Sequence, residues 1–554
     1  MATLLDNGIV LDREARVHDC VLIDNGRIAA VGRAGVDAHP AFSGARRVDL
    51  DGAVVTAAFV DAHVHLTATG LQRGGADLTG VRSAAELLQR VRDTAAGLPI
   101  GTVLIGHGWD DSVFTASGVP TADDIEAAAG RHAYLTRVDV HSALVSRSLM
   151  DSLPHLAGAE GYRPDGFLTR AAHGVARQAV FAGLGEAQRE ALQTAALQYF
   201  ARLGVVSVHE NAGPVVSSES DLRSALRLGA RADLPEVVGY WGELLAGDRA
   251  LALGAVGAAG DLFVDGSLGS RTAHVSADYC DSAGTGARYV STEDLVAHFR
   301  QCLELGIQAG VHAIGDAAVA DVVQAIARAD RERREPGSAR GRGHLGVMRP
   351  WRIEHCEMVT PEVLTQMAQL GVVASVQPVF DALWGGPGGM YEQRLGSARA
   401  AQMNPFASMR DLGIHLAFGS DSPVTEPGPW GAVAAALSHH QPSQRLAAMD
   451  AMAAHTHDAA AAACLRAANS DSDSDWVPED RRHQSAAKTG AGASPAVRSL
   501  LQPQAPADVA VWARPAGLHS DDDGAQVLAA LASAAPEALL TMRAGAALHD
   551  AGVL

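Results

Sequence analysis

The chain has 554 residues, with 63 acidic against 44 basic side chains and a formal net charge of -19. That length allows a large core and more than one structural unit, and a surface of that sign repels phosphate backbones, which excludes nucleic acid as a partner. No apolar run approaches the roughly 20 residues needed to cross a bilayer. The start, Met1-Ala2-Thr3-Leu4-Leu5-Asp6, has neither the basic nor the apolar region of a secretory signal. Five scattered cysteines (Cys20, Cys280, Cys302, Cys356 and Cys464) make no Cys-X-X-Cys pair and no disulfide framework. The expectation is a reduced, cytoplasmic protein with no membrane partner, and homo-oligomerisation stays open.

In chain order, Val21-Leu22-Ile23-Asp24 and Arg27-Ile28-Ala29-Ala30-Val31 flank Asn25-Gly26, a dipeptide suited to a type I′ hairpin. The opening therefore reads as a small β meander. Phe59-Val60-Asp61-Ala62-His63-Val64-His65-Leu66 is an apolar, β-favouring run, and on a strand His63 and His65 point the same way. Such a pair suits a shared metal ion, although His-X-His alone is as readily two hydrogen-bonded strand-end histidines. Helical spacing follows in Leu87-Leu88-Gln89-Arg90-Val91 and in Glu190-Ala191-Leu192-Gln193-Thr194-Ala195-Ala196-Leu197.

Leu203-Gly204-Val205-Val206-Ser207-Val208-His209-Glu210 reads as another strand ending in polar groups, and Asp261-Leu262-Phe263-Val264-Asp265 precedes a Gly-rich turn. Short runs before His312, at Arg352-Ile353-Glu354-His355-Cys356, at Val372–Pro378 and at Ile414–Phe418 alternate with helical stretches near 293–305 and 317–333. Short apolar strands alternating with helices indicate parallel α/β architecture. The candidate ligands all fall at strand C-termini, which fits a closed (β/α)8 barrel better than an open doubly wound sheet. From Asn469 the composition turns to Ser, Asp, Ala and Gly as far as about 498, which cannot bury a core and reads as a mobile loop.

Four motifs occur in order: Asp61-Ala62-His63-Val64-His65, Gly310-Val311-His312-Ala313-Ile314-Gly315-Asp316, Arg352-Ile353-Glu354-His355-Cys356 and Phe418-Gly419-Ser420-Asp421-Ser422-Pro423. With them the chain resembles the amidohydrolase superfamily of metal-dependent hydrolases. Phe263-Val264-Asp265-Gly266-Ser267-Leu268-Gly269-Ser270-Arg271-Thr272-Ala273 resembles its N-substituted formamide deformylase-like branch. The resemblance implies a (β/α)8 barrel over 57–468 with an inserted α+β segment at about 67–200. It also implies a small β-sandwich from 1–56 and 499–554, with the low-complexity 469–498 between.

His63, His65, His312, His355 and Asp421 offer imidazole and carboxylate donors that suit a divalent ion, Zn²⁺ first. Relatives carry a lysine, open to carboxylation, where Asp261 stands; the shorter Asp261 makes one ion the expectation rather than two. Glu210 and Asp261 are secondary ligand candidates. Asp421 is expected as proton shuttle and His355 or His312 as the group that orients the carbonyl. Asp316 and Glu354 are expected to orient histidines. Trp109, His141 and Arg271 are candidate substrate contacts, each with an equally plain structural reading. The expected reaction is hydrolysis of a linear C–N amide bond, such as an N-formyl or N-acyl amine, in a small-molecule substrate. A deaminase or cyclic-amide hydrolase would use the same ligands, and a non-catalytic binding member is the alternative of another class.

Overall fold

The run that ends in His63-Val64-His65 forms the first strand of an eight-stranded parallel sheet. The computed structural model describes residues 2–98, 101–114, 118–138, 142–334, 351–463, 501–519 and 522–554; the low-complexity stretch 469–498 and His141 lie outside the described residues. The strands are β1 (Phe59–Val64), β2 (Val205–Ala212), β3 (Glu236–Trp241) and β4 (Gly257–Ala258). They continue as β5 (Gln308–Ala313), β6 (Trp351–His355), β7 (Val373–Val376) and β8 (His415–Phe418). Each pairs in parallel with the next in chain order. Helices such as Glu219–Gly229, Thr292–Leu305, Asp316–Arg334 and Pro361–Leu370 stand between consecutive strands. This is the (β/α)8 barrel that the alternation of short strands and helices predicts.

The first and last strands meet through a polar seam rather than a regular ladder. Val64 and Ser422 form a single parallel bridge. The Asp421 amide donates to His63 O at 2.8 Å, and the His65 amide donates to Ser422 O at 2.9 Å. Asp61 Oδ1 accepts from the amides of both His63 (3.2 Å) and Ser420 (2.9 Å), which ties β1 to the end of β8. Gly419 makes the approach possible: a Cβ there would lie 2.5 Å from His63 N.

Inside the barrel the contents change from one end to the other. Where the strands begin, the helix His457–Ala462 packs Ala459, Ala460 and Ala462 against Val60, Ala62, Val373 and Ala417. Above that plug lie Arg352, Glu354, His209 and Ser375, all buried. The ligand candidates occupy the end where the strands finish.

Two further sheets flank β1 in sequence. Thr3–Asp6, Val21–Asp24, Arg27–Val31 and Arg46–Asp49 form one. Ile9–Leu11, Val17–His18 and Val54–Ala57 join Val509–Trp512, Ala538–Arg543 and Ala546–Asp550 in the other, so both ends of the chain share a sheet. Leu5, Val21, Ile23, Val48, Val55, Val509, Val511 and Leu540 form the core between them. At the hairpin, Asn25 and Gly26 take φ of 49° and 74°, the left-handed pair that an Asn-Gly turn supplies. Between β1 and β2, a five-stranded sheet from Ala76–Asp77 to Phe167–Thr169 is covered by helices including Ala84–Gly97 and Ala122–Ala129.

If the seam is as tight as these distances show, Gly419→Ala forces the His63 backbone to move. It should cost on the order of 1–3 kcal/mol and lower the melting temperature at fixed scan rate. An unchanged melting temperature would contradict this account of closure.

Candidate metal centre

The four histidines of the sequence motifs arrive at one place with their ring nitrogens already assigned. His63 Nδ1 donates to Glu354 Oε2 at 2.9 Å, and His65 Nδ1 donates to Asn211 O at 3.1 Å. His355 Nδ1 donates to Gln377 Oε1 at 2.9 Å, and His312 Nε2 donates to Gly266 O at 3.3 Å. Each partner accepts, which leaves the second nitrogen of each ring turned toward two carboxylates, that of His65 within hydrogen-bond reach of Asp421.

Asp421 Oδ1 lies 3.1 Å from His65 Nε2 and 3.4 Å from His63 Nε2. Asp261 Oδ2 lies 3.2 Å from His65 Nε2, and its Oδ1 lies 3.6 Å from His63 Nε2. That Oδ1 is also 3.7 Å from His312 Nδ1 and 3.7 Å from His355 Nε2. A tetrahedral ion with bonds of about 2.0–2.2 Å holds its ligand atoms about 3.3–3.6 Å apart, which is close to the separations of His63 and His65 from each carboxylate; the mutually close groups are His63 with His65 and Asp261, His63 with His355 and Asp421, and Asp261 with His312 and His355. His63 Nε2, His312 Nδ1, His355 Nε2 and Asp261 Oδ1 are buried without any hydrogen-bond partner. Ring nitrogens set against carboxylates in a buried site call for a cation between them, and the residues fit a divalent metal.

The electrostatics point the same way. Burial alone would make His63 and His65 poor bases, but Asp261 and Asp421 outweigh it, and His65 is raised to about 9. Burial works against the charge on Asp261 and Asp421, yet the surrounding imidazoles hold both below the usual carboxylate range. A field that retains protons on imidazoles also retains a cation.

Several local features aim these groups. The fourth strand stops after Ala258, and Gly260, at φ 85°, turns the chain so that Asp261 stands beyond the strand end. There its short side chain lies within 3.2–3.7 Å of all four imidazoles, in keeping with its place among the candidate ligands. His355 (φ 72°) and Asp421 (φ 55°) occupy left-handed backbone, which costs of order 1–3 kcal/mol each and is maintained by the packing around them. Asp265 accepts from the amides of Ile314, Gly315 and His274, and so sets the loop after β5.

Other sequence candidates fall elsewhere. Glu210 accepts from the Leu66 amide at 2.7 Å, where it caps the helix Leu66–Gly74, and burial raises it to about 7. It belongs to none of the ligand groups found among the described residues. Asp316 does not orient a histidine: it accepts from the amide and hydroxyl of Ser276. Glu354 does sit behind His63, as expected. Trp109 is fully buried in the inserted segment, its indole N–H donating to Leu135 O at 2.9 Å, so the plain core reading replaces a pocket wall. Arg271 pairs with Asp281 at 2.7 Å and clamps its own loop.

Sequence reading missed Arg352, Asn211, Gln377, Asp61 and Asp265. Arg352 had a signal: it shares strand parity with Glu354 in an otherwise apolar run. A second His/Asp group, Asp381, His439 and His440, is of another kind. Its ring nitrogens are engaged by Asn404 O, the Gln441 amide, Ala400 O and Asp381 itself, so it needs no ion.

A parallel barrel with this cluster at its strand ends defines the class, and the comparisons name it. Residues 46–467 match the amidohydrolase family, to which the chain belongs. It is 28% identical over 511 residues to Protein LONG AFTER FAR-RED 3 of Arabidopsis thaliana, covering 83% of each chain. It is 26% identical over 429 residues to the putative amidohydrolase YtcJ of Bacillus subtilis (strain 168), covering 71% of this chain and 76% of that one. An uncharacterized metal-dependent hydrolase from Pyrococcus furiosus shares the fold with a TM-score of 0.70 at 24% identity, over 92% of this chain and 98% of that one.

His65→Ala removes a lone pair that faces both carboxylates and should abolish stoichiometric metal by elemental analysis. Glu210→Gln should leave metal content unchanged. Loss of metal in Glu210→Gln, or its retention in His65→Ala, would overturn the ligand set.

Proposed function

We propose that the protein hydrolyses a linear C–N amide bond, such as that of an N-formyl or N-acyl amine, in the manner of the deformylase-like branch it resembles. The observation that carries the reading is the set of imidazole lone pairs facing Asp261 and Asp421. In this reading His63, His65, Asp261 and Asp421 hold one divalent ion, with Zn²⁺ favoured by the nitrogen-rich donor set. One ion is favoured over two because Asp261, unlike a lysine, cannot be carboxylated to bridge a pair. Bound there, the ion supplies Lewis acidity to a carbonyl and to water.

The protein's own groups do the rest. Asp421 accepts a proton from the attacking water and delivers it to the amine nitrogen as the C–N bond breaks. The water oxygen stays on the acyl carbon, so the products are a carboxylate and an amine. His355, on left-handed backbone at the end of β6, orients the substrate carbonyl. Cys20, Cys280, Cys302 and Cys356 are free thiols, in keeping with a cytoplasmic enzyme.

Two measurements test this. Loss of substrate across a panel of N-formyl amines, N-acyl amines, cyclic amides and aminated heterocycles should favour the first two, and turnover of only the last two would redirect the assignment. Asp421→Asn should keep most of its metal while turnover falls by a factor on the order of 10²–10⁴. Near wild-type turnover with metal bound would place the base elsewhere.

A further inference from the structure

Below the ligand cluster the barrel encloses a charge that no ligand role explains. Arg352 lies on β6, and its side chain has no exposed surface. Barrel interiors are ordinarily filled by branched apolar side chains, and enclosing a guanidinium is costly unless its donors find acceptors. Here they do. Nε donates to Glu354 Oε1 at 2.5 Å, and Nη2 donates to Glu354 Oε2 at 3.2 Å, Ser375 Oγ at 2.9 Å and Ala62 O at 2.5 Å. Nη1 lies 3.3 Å from His209 Nδ1, and the guanidinium carbon stands 4.9 Å over the Tyr240 ring.

Two of those contacts converge on a single ligand candidate. Glu354 Oε2 accepts from His63 Nδ1, and Ala62 is the residue before His63. One rigid, planar group therefore grips the backbone ahead of His63 and the carboxylate behind its ring. An ion pair that merely filled space would need neither contact.

We propose that Arg352 is a positioning residue for the ion site. By fixing Glu354 and the Ala62 carbonyl, it sets the tautomer and ring plane of His63, so that the Nε2 lone pair faces Asp261 and Asp421. The proposal rests on the metal-site reading above. Arg352 touches no substrate; it acts through Glu354 and the strand that carries His63.

The test uses the full chain, stripped of metal and titrated with Zn²⁺ against a chromophoric chelator, with melting of each metal-free form as control. Arg352→Met should weaken Zn²⁺ binding about 10–100-fold, the range for residues that orient a ligand, and Glu354→Gln should do likewise. Because the two act along one path, the double variant should bind within about 3-fold of the weaker single variant. Arg352→Lys, which keeps the charge but not the fork, should fall between wild type and Arg352→Met. Wild-type Zn²⁺ affinity in Arg352→Met, with only its melting lowered, would overturn the proposal, as would fully additive losses. Should Arg352→Met not fold, Arg352→Lys decides: weakened Zn²⁺ binding with normal melting supports the role, and unchanged binding overturns it. A wild-type protein that took up no Zn²⁺ would instead refute the metal-site reading.

Discussion

Four imidazoles cannot be buried with their lone pairs turned toward carboxylates unless something positive lies between them. That constraint organises the upper half of the barrel. Each ring is committed on its far side to an acceptor from a different place: Glu354 on β6, the Asn211 carbonyl on β2, Gln377 after β7 and the Gly266 carbonyl in the loop after β4. An unsatisfied buried polar atom costs about 1–3 kcal/mol, and several such atoms are gathered here. The fold holds the cluster in a state that a bound cation would relieve, which would couple ion binding to local stability.

The seam between β1 and β8 serves the same end. A ladder there would have fixed the backbones and left the side chains to sit on the sheet's ordinary alternation. Asp61 and Gly419 instead let the two strand ends converge closely enough for His63, His65 and Asp421 to share one point. Barrel closure and ligand convergence are a single geometric event.

Much of this was legible in the chain. Short apolar runs, several of them ending in His or Asp, announced both a parallel barrel and the end at which its chemistry would gather. The Asn25-Gly26 turn announced its hairpin because few dipeptides accept two left-handed residues in succession. Groups whose identity depends on long-range approach were not legible. Asn211 contributes a main-chain carbonyl that any residue would supply, and Gln377 gains meaning only opposite His355. Trp109 and Arg271 were open to two readings, because both are residue types that binding sites favour; both found partners within their own segments. Asp261 stood only as a secondary candidate because nothing in the sequence showed that Gly260 ends the strand and carries the carboxylate to the cluster.

The sheet shared by the two ends of the chain carries a consequence for biosynthesis. Val54–Ala57 runs almost directly into the strand that bears His63, and it pairs with Val509–Trp512, more than 450 positions later. Trp512 also packs its indole against Phe59 and Trp430. As the chain leaves the ribosome, the root of β1 has Ile9–Leu11 on one side from the start but waits for nearly everything else to be made before it acquires its second neighbour. The end that carries His63 and His65 is tethered late, so an interrupted or shortened chain lacks the brace beneath them.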